Sequence, residues 1–467
     1  MDILRYNDIE KLMSVPSCQP IMGAFLIFML FVFPTFSQNP IVPNKGLNDP
    51  HVHIFRDTAY VYASHDRAAD NKGFIMDDWW VWSSPDLVNW TKRSVLKPED
   101  TYIGKKFQGC WATDVGEKDG KYYWYFSEQN RQAGVVVGDS PIGPWSDPLG
   151  KPLLSEDLTP THEYDMAIFE DNGNHYIIFG VWDFYIAKLN YDMISLAEKP
   201  KKIIINNPRG PYNLNGENTK MPTDDKPFVH KYNNTYYLSW GCFYATSQNL
   251  YGPYDYRDTV IKADSFVEGH ESPTWPNGFL QGRHGSFFEW YDQWYYAYCD
   301  ISNTGNRYFR DTFISYVHYK DNGEIAPIRI DSVGVGQYKA DAPKIEAEDY
   351  FRAEGLVKKE ILNGFAVRTT ANKSYLMFPN VQGLQNFSKI ILKVRAPQGG
   401  RFSLEVRKDG LQGVLLGKSL LSLDVPMREF KEIAIRLAPM EEKEELFFLI
   451  TKLGTNELEI ESLSFSK

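Results

Sequence analysis

Between residues 55 and 299 one pattern returns five times: a turn carrying Gly, Asn or Asp, then a run rich in Tyr, Trp and Phe. The copies read FRDTAYVYAS at 55–64, EKDGKYYWYFS at 117–127, EDNGNHYIIFG at 170–180, KYNNTYYLSWG at 231–241 and EWYDQWYYAYC at 289–299. Turn dipeptides before aromatic, period-2 runs predict β-hairpins. With Tyr60, Tyr123, Tyr176, Tyr237 and Tyr296 as markers, the intervals are 63, 53, 61 and 59 residues. A third strand-like element follows most copies and runs into a Pro/Gly turn: VWSSPDLVNW at 81–90, VVVGDSPIGPW at 135–145 and FYATSQNLYGPY at 243–254. Five several-stranded units with no helical periodicity between them predict a five-bladed β-propeller over 38–338. A sandwich would need shorter, more even spacing.

The pattern changes after Gly336. Residues 345–467 contain no Trp and alternate Lys, Glu, Leu and Val in runs such as KIILKVRA and RFSLEVRK. A separate β-sandwich is expected over 342–467, joined through QYKADAPK at 337–344, so the fold class is all-β. At the other end, residues 22–37 read MGAFLIFMLFVFPTFS, an apolar run short for a membrane span and closed by small residues before Gln38. A signal peptide over 1–37 is expected, and with it a secreted or periplasmic protein. Asp2, Glu10 and Lys11 make a poor basic leader, which puts Met13 or Met22 forward as the true start. A retained membrane anchor is the alternative.

Composition narrows the partners. At 467 residues the chain exceeds one ordinary core. A net charge of −10 with no basic run argues against nucleic acid or an anionic membrane as main partner. Cys18 precedes the apolar run and is no lipid-attachment site; Cys110, Cys242 and Cys299 are spaced too widely for a disulfide framework or a zinc site. They are expected in the core of a monomer. The 15% aromatic content suits strands, and in concave sites such rings stack on sugar faces.

A propeller brings the first strand of every blade to a central axis, so acids at those strands can meet in one funnel. Asp49, in NDPH, stands before the first repeat. Asp165, in HEYDMAIFEDNG, stands before the third, and Asp224 and Asp225, in TDDKPFVHKYNN, before the fourth. His284, in GRHGSFFEW, stands before the fifth. A lone Asp before Pro is an ordinary turn residue; the repetition carries the signal. Glycoside hydrolysis needs such a set, one carboxylate to activate water and one carboxylic acid to protonate the leaving oxygen.

Taken in order, NDPHV, SSPDLVNW, CWATDV, YDMAIFEDNG, KPFVHKYNNTYYLSWG and RHGSFFEWYDQWYYAYC resemble glycoside hydrolase family 43 over roughly residues 44–335. That resemblance implies a five-bladed propeller that cleaves arabinofuranosides, xylosides and sometimes galactosides with inversion. It implies Asp49 as general base and Asp165 as the aspartate that orients the acid and tunes its pKa. It places His284 near the axis, beside a calcium ion reached through water, and Arg310, in NRYFRDTF, on substrate. Two departures stand out. Met166 follows the second aspartate where the family has Pro, and Asp225-Lys226-Pro227 stands where it has Glu before Gly-Pro or Ala-Pro. An aspartate carboxyl retreats by roughly 1.5 Å relative to glutamate, and an inward Lys226 would hold a neighbouring acid ionised. Asp225 is the first choice for the acid, and to act as one it needs Lys226 turned away from the pocket. Glu217, in NLNGENTK, and Glu271, in EGHESPTW, are in reserve; each reads equally as a solvated loop carboxylate.

Trp111 and Trp80 are the candidates for sugar stacking, with Trp79 and Trp182 behind them, and burial between blades is the competing role for each. Asp114 is either a funnel residue or a turn residue. The C-terminal opening KIEAEDYF resembles a family 6 carbohydrate-binding module, which implies a structural calcium on Glu346, Glu348 and Glu461, an oxygen-only set that suits that ion. Tyr350, Phe365, Tyr375 and Phe378 are the rings that could bind sugar there, or pack the core. The expected function is a secreted, inverting, exo-acting hydrolase of terminal pentosides on plant or algal polysaccharide, α-L-arabinofuranosidase first and β-xylosidase or β-galactosidase next. The alternatives are a glycan-binding propeller that has lost catalysis and, with least behind it, a lyase or transferase.

Overall fold

The computed structural model describes residues 39–210, 223–267, 284–423 and 425–467; the leader and both reserve acids, Glu217 and Glu271, lie outside the described residues. All five repeats are hairpins closed by two residues: Arg56–Asp57, Asp119–Gly120, Asn172–Gly173, Asn233–Asn234 and Tyr291–Asp292. Both residues of every turn have φ between 46° and 77°. Such left-handed pairs make type I′ turns, whose twist matches the strands they join.

Each hairpin supplies the two inner strands of one blade. Blade one is Leu47–Phe55, Thr58–Asp66, Met76–Ser84 and Thr91–Leu96; blade two is Cys110–Lys118, Lys121–Glu128 and Gln132–Gly138. Blade three is Ala167–Asp171, Asn174–Phe179, Tyr185–Lys188 and Lys201–Lys202. Blade four is Pro227–Tyr232, Thr235–Trp240, Phe243–Ser247 and Tyr254–Thr259, with Ile205–Asn206 added in parallel at its outer edge. Blade five is Gly285–Trp290, Gln293–Asp300 and Asp311–Val317. The ring is fastened from the N-terminal side. Ile41 N–H donates to the Thr312 carbonyl (2.9 Å), and the Asn39 side chain bonds both the carbonyl and the N–H of Ile314 (3.0 and 2.9 Å). Residues ahead of blade one thus hold the outer strand of blade five.

Trp79, Trp124, Trp240, Tyr125, Tyr237 and Tyr296 are fully buried, so most of the aromatic surplus fills the blades. Cys110, Cys242 and Cys299 are buried as well.

The C-terminal part is a two-sheet sandwich. One sheet runs Tyr338–Lys339, Lys373–Gln382, Lys443–Lys452, Gly400–Lys408, Val414–Leu423; the other runs Leu356–Ile361, Gly364–Thr369, Glu459–Ser466, Lys389–Ala396, Met427–Arg436. Tyr350, Phe365, Tyr375 and Phe378 are at most 9% exposed and belong to its packing rather than to an open sugar platform. The sandwich rests on blade five: the Gln293 amide donates to the carbonyls of Glu348 and Tyr350 (2.8 Å each), and Arg329 pairs with Asp349 at 2.9 Å. No helix among the described residues is long and apolar enough to cross a membrane.

Candidate active site

The sequence pattern places an acid or His284 at the start of the inner strand in four blades, and the structure brings these residues together. Asp49, Asp165, Asp225, His284 and Arg310 line one cavity of about 220 Å³, with Trp111, Tyr164, Phe74, Met76 and Asn130. The backbone is bent to deliver them. Asp49 (φ 48°), Asp165 (φ 54°) and Lys226 (φ 51°) are all left-handed. That conformation costs an L-residue roughly 1–2 kcal/mol, and such outliers gather where a chain aims side chains at a site.

Asp49 is 4% exposed. Burial alone would raise its pKa, but Arg310, then Lys226 and His284, hold it well below the usual carboxylate range. Arg310 Nη1 donates to Oδ1 (3.0 Å) and the Ser64 hydroxyl to Oδ2 (3.0 Å). Arg310 is braced in turn by Asn48 (2.8 Å) and by Asp66 at 3.1 Å from Nε. Arg310, the expected substrate contact, lines the cavity and also clamps the base, with its Nε, Nη1 and Nη2 donating to Asp66, Asp49 and Asn48. The result is an ionised carboxylate fixed in one orientation.

Asp165 is driven the other way. Burial, then the charge of Asp225, pushes its carboxyl well above the usual range. His284 lies between the two ends of the site, with Nδ1 3.2 Å from Asp49 Oδ1 and Nε2 against Asp225 Oδ1. Burial favours the neutral ring, but Asp225 and Asp49 outweigh it and favour imidazolium. The Tyr164 hydroxyl donates to Asp225 Oδ2 at 3.4 Å. Burial and then Asp225 push the Asp224 carboxyl up to about 7. Carboxyls driven apart in pKa within one pocket are the usual mark of acid and base roles.

Above the acids stands an aromatic collar. Phe74 packs edge-on to Tyr308 (centroids 4.9 Å) and Trp111 (6.3 Å), and Trp111 meets Tyr164 at 6.0 Å. Trp80 does not reach the cavity. It is 8% exposed, stacked on His65 at 3.6 Å, on a strand whose alternation turns it into the blade. Trp182 is 48% exposed, and its N–H donates to the Asp224 carbonyl at 3.0 Å, bracing the acid loop. Asp114 is neither funnel wall nor turn: it is wholly buried beneath His51 and His53. Phe74 and Tyr308 had no signal in the repeat, since both sit on loops between strands, and Tyr164 could have been found only as the neighbour of Asp165.

Two groups among the described residues bring donor atoms within 4.8 Å of one another, Asp165–Asp225–His284 and His51–His53–Asp114. The first does not fit the implied axial calcium. That ion takes six to eight oxygens, whereas the third member here is a ring nitrogen whose imidazolium form is favoured by Asp225 and Asp49, and Lys226 adds a second positive charge beside Asp165. In the sandwich, Lys344 takes Glu346 (2.5 Å) and Lys393 takes Glu461 (2.6 Å). The third expected ligand, Glu348, has a buried Oε2 with no hydrogen-bond partner among the described residues, and burial, then Asp349 and Glu346, push its carboxyl well above the usual range.

The sequence matches the profile of Glycosyl hydrolases family 43 over residues 37–325. A xylosidase/arabinosidase of Bacteroides ovatus is 29% identical over 337 residues, spanning 62% of this chain and 96% of the relative. An arabinoxylan arabinofuranohydrolase of Bacillus subtilis (strain 168) is 25% identical over 488 residues, spanning 90% of this chain and 91% of the relative. A crystal structure of a family 43 arabinoxylan arabinofuranohydrolase from Bacillus subtilis with cellotetraose shares the fold, with a TM-score of 0.53 at 23% identity over 93% of this chain and 98% of that one. A family 43 β-xylosidase/α-arabinofuranosidase from a compost metagenome, solved with xylotriose in a calcium-free form, gives 0.50 at 27% identity over 63% of this chain and 97% of that one.

Proposed function

The chain belongs to glycosyl hydrolases family 43, and from that premise we propose an inverting, exo-acting hydrolase of terminal pentosides on plant or algal polysaccharide. The first substrate is an α-L-arabinofuranoside, with β-xylosides or β-galactosides next. The observation that carries this reading is the meeting of Asp49, Asp165 and Asp225 from three blades in one small pocket under an aromatic collar. The Bacteroides relative, a xylosidase/arabinosidase, and the Bacillus relative, an arabinoxylan arabinofuranohydrolase, support the choice of sugar. The enzyme is secreted or periplasmic, acts as a monomer, and carries a sandwich that resembles a carbohydrate-binding module.

Asp49, ionised and clamped by Arg310, takes a proton from water as the water oxygen bonds to the anomeric carbon. Asp165 and Asp225 retain one proton between them, and Asp225 delivers that proton to the glycosidic oxygen as that C–O bond breaks, leaving the pair doubly ionised beside the His284 ring. Asp49 and Asp225 face opposite nitrogens of the His284 ring, which keeps the two carboxyls apart, and inversion needs a separation of about 6.5–9.5 Å to leave room for a water. A cavity of about 220 Å³ lies below the size of pockets for drug-sized ligands and suits one sugar residue, which favours exo action. Trp111 and Phe74 offer the apolar faces such a residue stacks on.

The test is release of free sugar from nitrophenyl pentosides and natural oligosaccharides, with the first-formed anomer read by NMR. Inverted product and a loss of several orders of magnitude in kcat for Asp49→Asn are expected. Retained configuration, or near-normal turnover in the Asp49→Asn variant, removes the assignment. The shorter Asp225 favours a second reading, a propeller that binds glycans without cutting them. Binding with no release from any substrate would establish it.

A further inference from the structure

Lys226 is 1% exposed, and its Nζ has no hydrogen-bond partner among the described residues. It also holds a φ of 51°, a conformation glycine takes freely and lysine does not. Two disfavoured features meet in one residue, which points to use rather than accident. Required to turn outward if Asp225 is to stay an acid, the side chain is instead buried; burial lowers its pKa, and Asp49 and Asp165, then Cys299 and Asp114, oppose that by favouring the ammonium. The Cys299 thiol and the cation Arg310 also border Asp49. Below lies a layer in which His51 Nδ1 (2.8 Å) and His53 Nε2 (2.6 Å) both face Asp114 Oδ1. The Lys226 side chain thus lies buried at the head of the inner strand of blade four, with Asp49, Asp114 and Asp165 of the three preceding blades as its charged surroundings.

We propose that Lys226 is a built-in axial cation: its ammonium supplies beside Asp49 the positive charge that a metal ion would bring, so that hydrolysis needs no metal at the axis. This rests on Asp49 as the base. Lys226 touches neither sugar nor leaving group and is a positioning residue. A buried ammonium among carboxylates is compensated where a lone one would not be, and a chain-borne cation cannot be removed by a chelator.

Lys226→Met keeps the length and removes the charge. It is expected to lower kcat about 10–100-fold, the usual cost of removing a group that orients a site from behind, with KM nearly unchanged. Lys226→Gly relieves the backbone and empties the axis. Methylammonium or calcium should restore part of its kcat, and calcium should raise its Tm more than that of the unmodified protein. The unmodified protein should keep its kcat in EDTA. Full kcat in Lys226→Met, a Lys226→Gly enzyme that neither cation helps, or a calcium-reversible loss of kcat in EDTA would each overturn the proposal. The calcium-dependent Tm of Lys226→Gly reads axial binding without turnover, and Asp49→Asn tests the base separately, so failure of one reading is distinguishable from failure of the other.

Discussion

Asp224 and Asp225 show how much one position can decide. Asp224 is pushed up to about 7 by burial and by Asp225, so below that pH the pair retains a proton and above it the proton is lost. Asp49 is lowered well below the carboxylate range and stays ionised through mildly acidic pH. The kcat/KM profile should therefore stay flat on the acid side and fall on the alkaline side with an apparent pKa near 7. Asp224→Asn should move that alkaline limb; a limb that stays in place assigns it elsewhere. Asp225→Ala should abolish cleavage of natural glycosides while sparing those with good leaving groups, which need little protonation. If natural substrates are cleaved as before, the acid is another carboxyl, Glu217 or Glu271 first. Asp49, Asp165 and His284 were legible because each sits just before or within the opening of an inner strand, a position that repeats. Arg310 was legible as a residue but not as a clamp, because its partners Asn48 and Asp66 lie more than 240 residues away in sequence.

At the level of strands and turns, the repeat was legible for a local reason. Asn-Gly, Asp-Gly and Asn-Asn accept two left-handed residues in succession, and the aromatic alternation that follows fits a buried pleat. Arg56–Asp57 and Tyr291–Asp292 adopt the same turn against local preference, held by the register Phe55↔Thr58 and Trp290↔Gln293. Apolar packing joins neighbouring blades, as where Tyr62 and Trp79 of blade one meet Trp124 and Phe126 of blade two, but the single buried polar groups that also join them were not legible. Asp114 is such a group. On blade two, it accepts His53 Nε2 (2.6 Å) from blade one, the Ile168 N–H (2.6 Å) from blade three, and its own neighbour's Val115 N–H (2.8 Å). Asp114→Ala should cost about 3–5 kcal/mol, the range for removing one partner of a buried charged network, read as a lowered urea midpoint. Burial would raise the Asp114 pKa, but His51 and His53 overturn this and lower it. Its stabilisation is thus complete above the unfolded-state pKa near 4 and is lost as pH falls. His51, lowered to about 4 chiefly by burial, adds a loss of the same sign below its own unfolded value. A variant as stable as the parent at neutral pH would leave the blades joined by apolar packing alone.

On the scale of the whole molecule, the single-residue pocket does not stand alone. A larger cavity of about 890 Å³ opens beside it on blades one and two, bordered by Arg67, Asp78, Glu99, Phe107, Gln108 and Gln129. Phe74 borders both cavities, and under the proposed function it would stand between the sugar being removed and the rest of the substrate. The lining suits a hydroxyl-rich chain: carboxylates and amides to accept and donate, and the half-buried Phe107 to stack on. Phe107 packs there because Gly109 has no side chain; a Cβ at that glycine would come within 2.8 Å of the ring. The two cavities make separable demands on a substrate. Phe107→Ala should raise KM several-fold for oligosaccharides and polymer while leaving nitrophenyl pentosides, which end at the pocket, unaffected. Phe74→Ala should impair both, because it opens the pocket as well as the groove. Equal losses on both substrate classes for Phe107→Ala would mean that the ring supports the pocket through Gly109 rather than meeting the chain. Unchanged kinetics on both would move the rest of the substrate to another side of the propeller, away from blades one and two.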